Sequence, residues 1–62
     1  MVKNNNIQEG SIVKDNQTGE KFKIISVVRH CNAYMGVRYK DGIAEKFGPV
    51  IHLKEGFISL DS

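Results

Sequence analysis

There is no tryptophan, one cysteine (Cys31) and one proline (Pro49) in this 62-residue chain. The single thiol excludes an internal disulfide, and with only two histidines beside it no four-residue Cys/His set for a structural metal can be assembled. Long apolar runs are missing too. No stretch approaches the roughly 20 apolar residues of a membrane-spanning helix, and the opening MVKNNNIQEG lacks the apolar segment of a secretory signal. The chain is therefore expected to be soluble and cytoplasmic, without membrane association, and a lone thiol suits a reducing compartment. No glycine-rich loop leads into a helix, so nucleotide phosphates have no cradle.

What is present is short and β-rich. At this length folding buries only about 60% of the surface of the unfolded chain, so one small domain of modest stability is expected. Its limits are set at 7–62, after a flexible polar terminus over 1–6 that contains three consecutive asparagines. The Asn, Lys and Ile content points to an AT-rich coding sequence of bacterial or phage type.

The alternation of apolar and polar residues predicts five strands. SIVKD is the first, closed by NQTG. EKFKIISVVRH is the second and longest, and β-branched Ile24, Ile25, Val27 and Val28 disfavour a helix there. Its buried face changes partway, which predicts a bulge or sharp bend near Ile24 to Ser26. MGVRYK alternates Met35, Val37 and Tyr39 against Gly36, Arg38 and Lys40. Asp41-Gly42 then supplies the two positive-φ positions of a type I′ hairpin turn. IAEKF returns antiparallel and stops at Gly48-Pro49, because proline has no amide hydrogen for a ladder. VIHLKEG is read as a single 3₁₀ turn presenting Leu53 inward, and GFISLDS as the last strand.

Taken together, GSIVKDNQTGEKFKIISV, GVRYKDG and IHLKEGFISL resemble the layout of the SH3-like small β-barrel, in the manner of KOW, Tudor and related modules. The resemblance covers roughly residues 7–61 at the level of topology. It implies an all-β, five-stranded barrel with one short 3₁₀ turn before the last strand. It also implies that Tyr34 and Tyr39 could line an aromatic groove with Phe47 or Phe57, although so small a domain needs its aromatics for a core.

Catalysis finds little support, and the chain is not expected to be an enzyme or to carry a cofactor. His30-Cys31 has no orienting third group, and the spacing of His30, Cys31 and His52 matches no compact metal motif. The acidic residues fall mostly at turns and strand ends.

Charge is more informative. The net charge is +2, but residues 21 to 46 carry an excess of +4 while the segments on either side each sum to −1. Lys21, Lys23, Arg38, Lys40 and Lys46, with Tyr34 and Phe47, form the candidate binding surface. Pairing across the turn sets Arg38 opposite Glu45 and Lys40 opposite Ile43. Either a bulge near Ala44 then returns Phe47 and Ile43 to the core, or both stand exposed on the basic face.

The leading expectation is a non-catalytic module that binds a protein partner, as a small regulator or assembly component. Such a module can take a partner chain onto a free strand edge. The alternative is a nucleic-acid-binding module, in which the basic strands contact phosphates and an aromatic stacks on a base. Monomer and homodimer are both open, with Lys21, Lys23 and Lys40 as possible guards against edge-to-edge pairing.

Overall fold

The computed structural model describes residues 7–46 and 48–61. The terminus at 1–6 and Phe47 lie outside the described residues. Within them the protein is an antiparallel all-β sheet with no α-helix. Its six strands are β1 (Ile12–Asp15), β2 (Lys21–Val28), β3 (Ala33–Lys40), β4 (Ile43–Ala44), β5 (Ile51–Lys54) and β6 (Ile58–Leu60). Their order is β4-β3-β2-β1-β6, with β5 also on β3. The sheet is not closed into a barrel.

Side-chain and backbone chemistry explains each connection. After β1, the Asp15 carboxylate accepts the amides of Gln17 at 2.7 Å and Thr18 at 3.3 Å. Gly19, at φ 82°, returns its own amide to the Asp15 carbonyl. That side chain and that glycine turn the chain into β2. A 3₁₀ turn at Arg29–Cys31 follows, and Asn32 leaves it at φ 53°. Asn is among the few non-glycine residues that tolerate this region. Asp41 at φ 54° and Gly42 at φ 78° make the turn expected from their sequence, with Lys40 opposite Ile43 and Tyr39 opposite Ala44.

The predicted change of face in β2 is a β-bulge between Ile24 and Ser26. Before it Phe22 and Ile24 point into the core, and after it Val27 does, across from Tyr34. One extra residue thus reverses the parity and lets a single strand cover two parts of the core. That core consists of Ile7, Val13, Phe22, Ile24, Tyr34, Leu53 and Ile58.

Three expectations are corrected. The strand after the hairpin turn is only two residues long, and it does not run on toward position 47. Ile51–Lys54 is a strand where a 3₁₀ turn was expected, and the 3₁₀ turn falls at Glu55–Phe57, directly before the last strand. The cause of both is a large register change along β3. Glu45 still bonds to Arg38, but Gly36 faces Ile51, so the one residue Val37 spans the whole of 46–50. Once the Gly48-Pro49 excursion is over, the other half of β3 has unpaired backbone groups, and Ile51–Lys54 satisfies them. Leu53 is buried as expected, but from a strand.

The third correction concerns the faces of β3. Tyr34 and Gly36 face the core; of the expected set only Val37 is buried, while Met35 and Tyr39 are half-buried. Gly36 explains the choice, since a Cβ there would lie 3.0 Å from the Lys23 carbonyl oxygen and 3.2 Å from Leu53 Cδ1. A side chain at this point would have to push β2 or Leu53 aside.

Candidate binding surface

The hairpin brings part of the predicted surface together. Lys21, Arg38 and Lys40 line one groove of about 320 Å³ with Tyr39, Glu20 and Glu45. It is not a basic groove. Arg38 Nε lies 3.7 Å from Glu20 Oε2, and Lys21 Nζ lies 3.2 Å from Asp61 Oδ2. Both carboxylates come from segments whose own charge sums to −1, so folding places anions against two of the cations that made the middle of the chain look basic. The side chains in these pairs are roughly one-third to one-half exposed, so each pair contributes little to stability. Their effect is on the surface field.

The remaining predicted residues are scattered. Lys23 lies on the outer face of the sheet, paired across the ladder with Val37 and Ile12. Lys46 is exposed beyond the end of β4. Ile43, 69% exposed, stands beside Lys40 as the unbulged register requires. Phe47 lies outside the described residues. Tyr34, only 7% exposed, is a core residue and presents no open ring face for stacking. Its ring packs with Val27 and Leu53, the residues opposite it on β2 and β5.

Tyr34 borders a second cleft, of about 330 Å³, lined by Ile7, Val27, Arg29, Asn32 and Glu55 among others. Burial pushes the phenol above its ordinary pKa of 10.0, the negative charge of Glu55 pushes the same way, and Arg29 opposes them. His30 and Cys31 are exposed on the adjoining 3₁₀ turn. Among the described residues no three His, Cys, Asp or Glu side chains converge as a metal site.

No family model, curated protein or solved structure matches this chain. The surface must be interpreted from its own geometry. No helix among the described residues is long and apolar enough to cross a membrane.

The feature that the sequence-based surface omitted is the outer edge of β5. The Glu45 amide donates to the Arg38 carbonyl at 2.8 Å, and the Glu55 amide to the Asn32 carbonyl at 3.2 Å. These bonds fix the phase of the ladder: Gly36 and Tyr34 exchange bonds with Ile51 and Leu53. The N–H and C=O groups of His52 and Lys54 therefore point away from β3. The Lys54 carbonyl accepts the first bond of the Glu55–Phe57 3₁₀ turn, and among the described residues no strand takes up the two His52 groups or the Lys54 amide. The alternation Ile51, His52, Leu53, Lys54 was the available signal, hidden by its shortness and by the preceding proline.

Proposed function

We propose that this protein is a non-catalytic protein-binding module that receives an extended partner segment along the outer edge of β5. The observation carrying this reading is the outward-facing N–H and C=O of His52 and N–H of Lys54, next to the buried side chain of Leu53. Unpaired strand backbone is a template for another strand. Leu53 and Ile58 belong to one core, so the edges of β5 and β6 border the same apolar interior, and an added strand at β5 extends the cover over it.

The strand order β6-β1-β2-β3, continued by β4 and β5, supports a finer reading as an SH3-like small barrel left open between β5 and β6. The long bulged second strand and the 3₁₀ turn before the last strand fit the same layout. The nucleic-acid alternative is weakened by the Glu20 and Asp61 carboxylates beside Arg38 and Lys21, because phosphate binding draws on uncompensated cations.

The test is His52→Pro, which deletes an outward amide hydrogen and leaves the β3-facing bonds of Ile51 and Leu53 in place. Host partners are first captured on the wild-type protein. A folded variant, verified by circular dichroism, is expected to lose them, and undiminished capture would overturn the proposal. Should the variant not fold, a photo-cross-linking residue at position 52 replaces it. It is expected to give a protein adduct that a cross-linker at Lys40 does not. Nucleic acid as the main adduct would favour the alternative.

A further inference from the structure

The structure assigns a chemistry to the partner: we infer that β5 selects an antiparallel strand in which acidic residues alternate with apolar ones. The inference rests on the strand-addition reading above and goes beyond it. Residues directly opposite one another in an antiparallel ladder put their side chains on the same face of the sheet. The inner face of β5 carries Ile51 and Leu53, half-buried and buried respectively, while the outer face carries exposed His52 and Lys54.

The register then follows. His52 exchanges both of its outward groups with the partner and Lys54 donates its amide, the Lys54 carbonyl being held by the 3₁₀ turn that follows. The partner residues opposite them lie on the solvent face beside an imidazole and an ammonium, where a carboxylate gains from both. The partner residues opposite Ile51 and Leu53 lie on the core side, where an apolar and preferably β-branched side chain is required. Opposite Val50, exposed and of the same parity as His52, an apolar residue again fits. Running antiparallel from Lys54 to Val50, the partner therefore reads acidic, apolar, acidic, apolar, apolar.

The same charges act against a second copy of this chain. Bonding β5 to another β5 through the same outward groups sets His52 opposite Lys54, or His52 opposite His52. Neither arrangement offers a carboxylate to Lys54. The edge is thus guarded against itself while open to an acidic strand.

The test uses three short synthetic peptides and the full chain. One carries the acidic–apolar pattern, the second has lysine at each acidic position, and the third has the acidic composition with a central proline. Binding is read from hydrogen–deuterium exchange of the His52 and Lys54 amides. The acidic peptide is expected to protect both, and the lysine peptide to bind about fivefold more weakly, from the cross-strand charge pair at Lys54 changed from attractive to repulsive and the acceptor opposite the His52 imidazole lost. The proline peptide is expected to leave both amides unprotected. Lys54→Glu should narrow or invert the preference without loss of fold. If acidic and lysine peptides protect the two amides equally, the charge inference is overturned and strand addition survives. If no peptide protects them while partner capture still depends on position 52, the charge-patterned strand is likewise overturned. If capture is also independent of position 52, the underlying proposal fails with it. Protection that rises with protein concentration in the absence of peptide would identify a second copy as the occupant and overturn the inference.

Discussion

At the scale of single residues, two positions carry more of the structure than their size suggests. Gly36 sits on β3 between β2 and β5, and the atom an alanine would meet at 3.0 Å is a backbone oxygen, which cannot rotate away. Gly36→Ala is expected to destabilise the fold by about 1–3 kcal/mol, measured by urea unfolding. Tyr34 is the other. Its folded-state pKa is raised, so the neutral phenol is the form that the fold prefers. Its contribution is fully present below the unfolded value of 10.0 and is lost as pH rises through that value toward the folded one. Unfolding free energies followed from about pH 8 to about pH 11 should fall at the alkaline end, and Tyr34→Phe should flatten that limb. An unchanged alkaline slope in the phenylalanine variant would show that another group is responsible. Residue by residue, Tyr34 was misplaced because the apolar set Met35, Val37 and Tyr39 outweighs Tyr34 and Gly36 in any count of hydrophobicity. The lack of room beside Gly36 is a property of three strands together and leaves no trace in one.

Among the elements, what could be read from the sequence had a local cause. The Asp41-Gly42 hairpin was legible because both turn residues accept positive φ. Gly42→Ala is accordingly expected to cost about 1–2 kcal/mol, with no change in the register of Lys40 against Ile43 as judged by cross-strand NOEs. The bulge in β2 was legible because Phe22 and Ile24 on one parity give way to Val27 on the other. β5 was not legible in the same way. Its four residues acquire strand geometry only because the far half of β3 offers unsatisfied backbone, and nothing between Gly48 and Lys54 encodes that offer. Leu53→Ala gives this dependence a measurable form. Removing the one fully inward side chain of β5 should cost about 2–5 kcal/mol and should raise amide exchange along Ile51–Lys54 before the β1–β2 ladder is affected.

For the molecule as a whole, the candidate surface was the least legible part, because a surface field depends on which distant segments meet. The +4 excess along residues 21–46 was real as a sequence property, but Glu20 and Asp61 arrive beside Arg38 and Lys21 only in the folded chain. Exposed pairs of this kind are weak. Glu20→Gln and Asp61→Asn are therefore expected to change stability by less than about 1 kcal/mol while raising affinity for polyanions such as heparin, seen as later salt elution from a heparin column. If elution does not move, the two carboxylates do not control the field over the hairpin. A different whole-molecule property comes from the pairing of β1 with β6, which is tied further by the Ser59 hydroxyl on the Asn16 side chain across 43 residues of sequence. Closing so long a loop is entropically slow compared with zipping the neighbouring hairpins. While a ribosome is still extending the chain, β1, β2 and β3 can already assemble, yet the backbone of Ile12 and Lys14 waits uncovered for a segment not yet made. The nascent protein therefore passes through a stage in which its stickiest line is one that the finished molecule conceals, and Lys14 is the charge positioned to keep other chains off it.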